Sequence, residues 1–164
     1  MHRLSVIAVA LAFSACSDDS PLSPADIAGT YALSDVSGMG LNTPHQLAGE
    51  PCTATFSEGS MTINRNESFS LNFTYRYHCQ GSPEPGLLIQ LIITGNEARN
   101  VGEWLYLSGI ATSGTCGPAG NAGSPCPNYT LAVRPELPML RVEFLDARAQ
   151  FWGDPHFTLG PRQP

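Results

Sequence analysis

An all-β fold is predicted by three observations. Short runs of β-branched and aromatic residues alternate with Gly, Pro and Asn, the clearest runs place apolar residues at a spacing of two, and no window of about eleven residues holds an apolar stripe at helical spacing. About eight such runs follow one another in hairpin order. That is the pattern of a single antiparallel up-and-down barrel, with a two-sheet β-sandwich as the alternative. The barrel is preferred because closure leaves no unpaired edge.

The elements are justified in order. The first strand is predicted over Gly29–Val36 and the second over Cys52–Ile63, bent by a bulge within 57–60. Asn64, Arg65, Asn66 and Glu67 make a tight polar turn into a third strand at 68–79. There the alternation is plainest: Phe69, Leu71, Phe73, Tyr75 and Tyr77 share one face, and Ser68, Ser70, Asn72, Thr74, Arg76 and His78 share the other. A period of two puts the first set on a core and the second in solvent. The run at 87–94 is almost continuously apolar, which suggests a strand covered on both faces. Further strands are predicted at 103–111, 128–134 and 139–145, and within 149–159. Pro135, Glu136, Leu137 and Pro138 turn the sixth into the seventh.

Ahead of these strands stands a leader. Met1, His2 and Arg3 form a short basic lead, Leu4 to Phe13 is uncharged and largely apolar, and Ser14-Ala15 brings small residues up to Cys16. This order reads as a secretory signal, and its ~10 to 12 apolar residues fall short of the ~20 needed to span a bilayer as a helix. With Phe13-Ser14-Ala15-Cys16 at its end, it resembles the bacterial lipoprotein signal, although Phe13 stands where Leu is usual. The resemblance implies cleavage after residue 15, acylation of Cys16 and an extracytoplasmic, lipid-anchored protein of the cell envelope. In lipoproteins an Asp after the lipidated cysteine favours the inner membrane. Ser17 is there instead, so the resemblance points to the outer membrane. Residues 16–26 are then a lipidated cysteine and flexible tether, of which the nine residues 17–25 extend at most ~30 Å. The single folded domain is 27–164.

Without the leader the chain carries seven Arg, no Lys and fourteen Asp plus Glu, a net charge of -7 with His neutral. Nucleic acid and electrostatic adhesion to anionic lipid both rely on clustered cations, so both are excluded as partners. The membrane link is therefore assigned to the acyl chains. Beyond Cys16 there are four cysteines, an even count that suggests bridges in an exported protein. Cys116 and Cys126 flank a Gly- and Pro-rich loop that is easily closed, so the pairing chosen is Cys52 with Cys79 and Cys116 with Cys126. No close Cys or His pair has zinc-ligand spacing, and no metal or cofactor is expected.

Ile27-Ala28-Gly29-Thr30-Tyr31-Ala32-Leu33, followed by Gly59-Ser60-Met61-Thr62-Ile63-Asn64 and by Ser68-Phe69-Ser70-Leu71, resembles the lipocalin-like (calycin-type) domain of small bacterial lipoproteins. In those a G-T-Y/W-x-L opening precedes a G-S-L-T-L strand, a turn and a G-T-F series. The match covers the first third of the domain, and it departs at Glu67-Ser68 and in the four cysteines. The resemblance implies the barrel fold and says little about function.

Catalytic chemistry is not expected. No nucleophile elbow, phosphate-cradling glycine loop, zinc-protease helix or calcium loop appears. His45, His78 and His156 lie far apart, and each is read as solvated or hydrogen-bonded. A small hydrolase is the minor enzymatic alternative. Phe73, Tyr75, Trp104, Tyr106 and Trp152 are the candidates to line a barrel interior or mouth, where a small apolar ligand would sit. The expected function is a binding or structural module. The alternative is a protein-interaction module, such as an envelope inhibitor of a secreted hydrolase, acting through loops at 41–51 or 95–102.

Overall fold

The computed structural model describes residues 22–83, 85–113, 128–145 and 155–161. Ten strands run in chain order: β1 (Gly29–Val36), β2 (Met39–Gly40), β3 (Pro44–Gln46), β4 (Cys52–Ile63), β5 (Phe69–Cys79), β6 (Leu87–Val101), β7 (Trp104–Ser113), β8 (Asn128–Glu136), β9 (Met139–Phe144) and β10 (His156–Pro161). Each of β4 to β10 pairs with the next, β10 returns to β1, and Gly29 to Ala32 of β1 meet Ile63 to Ser60 of β4. Eight antiparallel strands therefore close a barrel, with the two-stranded extensions β2 and β3 outside the cycle. No helix occurs among the described residues.

The alternation of β5 sets the interior. Phe69, Leu71, Phe73 and Tyr75 are buried, and their neighbours Ser70, Asn72 and Thr74 lie half-buried on the outer wall. Phe73 stacks on Phe157 of β10, ring centroids 4.6 Å apart at 26°, and Phe56 and Phe144 meet Phe157 edge-on at 5.3 and 5.6 Å. Aromatic pairs at these separations add to the burial of their own apolar area. The bulge expected within 57–60 is present, as a register shift between Phe56 and Glu58 of β4.

Two expectations are corrected along β6. The strand does not stop at 94 but continues to Val101, so 95–102 is wall and not a loop. Gly95 faces Gly109 across the β6–β7 ladder, and the Phe69 ring lies against both: a Cβ on Gly95 would come within 2.6 Å of Phe69 Cε1, and one on Gly109 within 2.7 Å of Cζ. The glycine that reads as a turn signal thus makes room for a ring, and a bulge between Gly95 and Glu97 carries the strand onward. Nor is β6 covered on both faces. Ile89, Leu91 and Ile93 point inward and are buried, whereas Leu88, Gln90 and Thr94 are exposed.

The barrel has two unlike ends. At one, the strands are joined by the short turns 64–68, 102–103 and 137–138, and β1 begins there. At the other, the chain makes its longer passages, 37–51, 80–86, 114–127 and 145–155. Among the described residues, packing extends ahead of β1 to Leu22. Leu22 lies against the core, Ile27 is buried, and the Asn100 side-chain amide donates to the Leu22 carbonyl. Between them Asp26 closes a turn, its carboxylate accepting from the Ser23 amide (2.8 Å) and hydroxyl (2.7 Å). Those two bonds hold the Asp26 carboxyl below its ordinary range.

Candidate functional site

Inward-facing positions change character along the axis. At the level of Phe73 and Phe157, and of Leu71, Ile93, Leu107 and Leu131, the side chains have no accessible surface. No water-sized void touches them, so the middle of the barrel is filled. Towards the long-connection end the next inward row, Phe56, Tyr75 and Ile89, is still buried. One row further, Ala54, Tyr77 and Leu87 stand side by side, and Leu87 is 51% exposed although it points inward. Exposure of inward-facing side chains thus begins above the Tyr75 row. Around this mouth lie half-buried Tyr77 and Leu41, exposed Met39, and the Cys52–Cys79 disulfide.

The disulfide is the one expected from the sequence. Cys52 and Cys79 are directly opposed across the β4–β5 ladder, with Cα atoms 3.9 Å apart. The Tyr77 hydroxyl donates to Cys52 Sγ at 3.2 Å, which ties an aromatic side chain of the mouth to the bridge. Burial, reinforced by the Glu50 carboxylate, raises the Tyr77 hydroxyl above its ordinary pKa. Burial does the same at Tyr75, reinforced by Tyr129 and Tyr77. Cys116 and Cys126 lie outside the described residues.

One side of the mouth is roofed by β3. His45 sits opposite Ala54 and is 8% exposed, its ring edge-on to Phe56 at 5.9 Å. The expectation of a solvated or hydrogen-bonded histidine is corrected here. Residue 45 is an inward position on a strand that covers the barrel, so its ring is packed, and burial lowers its pKa. His78 and His156 are half-buried on β5 and β10, and no group of three or more His, Cys, Asp or Glu that could hold a metal occurs among the described residues.

Of the five residues expected to line a ligand site, the four that are described do not converge. Phe73 and Tyr75 are interior, and Phe73 is wholly enclosed. Trp104 and Tyr106 are corrected to the outer wall, because Leu105 and Leu107 between and beside them take the inward positions of β7. Trp104 lies under the Arg134 guanidinium, 5.5 Å from its ring centre. Trp152 lies outside the described residues. The mouth residues Leu87 and Met39 are not singled out by the sequence, and Leu41 enters only as the first residue of the 41–51 loop.

The outer wall carries two adjoining grooves. One, about 360 Å³, runs over the Gly95–Gly109 kink and is lined by Glu97, Ser108, Ile110, Asn128 and Thr130 among others; the second, about 490 Å³, lies between Arg99, Val101, Tyr106, Ser108 and Thr130. Both are open and mixed in polarity. No protein-family model, curated protein or solved structure matches this chain.

Proposed function

We propose that this protein is a lipid-anchored, extracytoplasmic module of the bacterial cell envelope, whose lipocalin-like barrel binds its partner at the open mouth and is not an enzyme. The observation that carries the binding reading is Leu87: an inward-facing leucine left half-exposed above a filled interior. An exposed apolar side chain in an inward position, opposite half-buried Tyr77, supports a site for an apolar group. The anchoring part of the reading is supported by the leader and by Phe13-Ser14-Ala15-Cys16, with the outer membrane favoured by Ser17.

A small apolar ligand would occupy the space above the Tyr75 row, against Tyr77 and Leu87. The filled level of Phe73 and Phe157 favours a second reading, in which the mouth takes an apolar side chain from a partner protein, as an envelope inhibitor of a secreted hydrolase would. Native mass spectrometry of the domain released from its own host tests both. A retained small molecule lost in Leu87→Asp supports the first, and a co-purifying protein lost in the same variant supports the second. Binding that survives Leu87→Asp overturns the mouth as the site. Intact-mass measurement at Cys16 tests the anchor, and a chain without an acylated N-terminus there refutes it.

A further inference from the structure

We propose that the short-turn end of the barrel rests on the bilayer, with the hairpin tip at Leu137 and Pro138 as its apolar point of contact and Val101 beside it. The inference rests on the reading of Cys16 as the lipid anchor. Leu22 is packed on the core and held through Asn100, two residues before the turn that joins β6 to β7. Only residues 17–21 therefore separate Cys16 from the barrel, and five residues extend at most about 18 Å. The end of the barrel that such a leash holds to the membrane is the one where Leu22 enters.

That end carries an apolar feature that is exposed among the described residues. Leu137 is 80% exposed, the highest value among the large apolar side chains described, and Pro138 beside it is exposed. The pairs Pro135 with Leu140 and Glu136 with Met139 carry the β8–β9 ladder to the level of the 102–103 turn, so the tip stands at this end of the barrel. Val101, 45% exposed, stands at the neighbouring turn close to where Leu22 enters.

Charge at this end favours shallow apolar insertion over attraction to anionic headgroups. Arg134 is paired with Glu136 at 2.8 Å and lies 3.9 Å from Glu103, Arg65 shares its turn with Glu67, and exposed Arg99 beside Val101 shares its face of β6 with exposed Glu97, so the charge is mixed. The acyl chains hold the protein at the membrane, and this contact sets which end of the barrel faces it. The mouth, at the other end, then faces away from the membrane.

The test uses the full acylated chain in phosphatidylcholine vesicles with brominated acyl chains, which quench indole emission on contact. Leu137→Trp adds a probe at the tip, Gln80→Trp adds one at the opposite end, and the unsubstituted chain supplies the baseline from its own tryptophans. Emission added by Leu137→Trp falls by about half, as for a ring ~5–10 Å into the headgroup boundary, while that added by Gln80→Trp is unchanged. Val101→Trp is the second probe should Leu137→Trp not fold. A chain that is acylated and floats with the vesicles, yet shows no quenching at 137 or 101, overturns the contact and leaves the anchor standing. A chain that carries no acyl group overturns both.

Discussion

Gly59 stands directly across the β4–β5 ladder from Phe73, and a Cβ built on it would overlap the Phe73 ring at Cδ1, with Cε1 at 2.9 Å and the Leu33 Cβ at 3.1 Å. The absent side chain is thus part of the core, since it gives Phe73 the space in which it stacks on Phe157. Gly59→Ala destabilises by about 1–3 kcal/mol through overpacking. Combined with Phe73→Leu, which clears the overlap, the two changes cost less than their sum, and a double-mutant cycle by urea unfolding reads this directly. Strict additivity would mean that the alanine acts on the backbone of the bulge and not on the ring.

The outer wall next to Phe73 holds a different weakness. Asn72 is flanked by Ser60 and Ile92, and its side-chain oxygen is buried without a hydrogen-bond partner. A buried acceptor left unpaired costs roughly 1–3 kcal/mol, and a β-branched residue suits a half-buried strand position. Asn72→Thr therefore leaves stability unchanged or raises it by up to about 1 kcal/mol. On the same strand Phe73→Ala costs ~3–5 kcal/mol and Thr74→Ala ~0.5 kcal/mol. Thermal unfolding of the three variants separates the faces, and a large loss at Asn72→Thr would show that the amide is satisfied after all.

How far the sequence was legible follows from where local pattern decides structure. The inward set of β5 and its turn from β4 depend on a period of two and on polar turn residues, both readable in a single strand. Closure of β1 on β4 is not local, and the barrel could be preferred over a sandwich only by the general argument against free edges. Tyr106 and Trp104 were misplaced because aromatic bulk was weighed above phase: Leu105 and Leu107 hold the inward phase of β7, and bulk does not reveal it. The loop expected at 95–102 is wall, because a glycine that seats a neighbouring ring, as Gly95 does, and a glycine that turns the chain look the same in one dimension. The mouth was invisible for a further reason. Leu87 and Ile89 are alike in type and phase, and only their height in the barrel makes one half-exposed and the other buried.

Acid sensitivity is the third expectation, and it centres on His45. Its folded pKa lies below the ordinary value of 6.5 because burial against Phe56 disfavours the charged ring. Above pH 6.5 both folded and unfolded chains hold the ring neutral, so this group adds no pH dependence. As pH falls through 6.5 the unfolded chain takes up a proton that the folded ring resists, and stability declines until the folded pKa is reached. His45→Leu removes this part of the decline while keeping the position apolar and filled. Unfolding midpoints measured from pH 7.5 down to pH 5 check it, and parallel curves for the two proteins would refute it.

Cys52 and Cys79 close the fourth expectation, because they bridge two strands that the ladder already pairs. In the chain-entropy view the bridge acts on the unfolded chain, and a separation of 27 residues makes it worth about 3.5 kcal/mol. The barrel below it is filled independently by Phe73, Phe157 and their neighbours, so the fold does not need the bridge to define its core. Cys52→Ala with Cys79→Ala should therefore lower the urea midpoint strongly yet leave the aromatic circular dichroism of the interior near native under folding conditions. The mouth should respond differently. Tyr77 loses the sulfur it donates to, so amide exchange at residues 76–80 accelerates while exchange at 69–73 tracks only the global loss. Equal acceleration along the whole of β5 would mean that the bridge supports the strand as a unit and that the rim has no separate rigidity to lose.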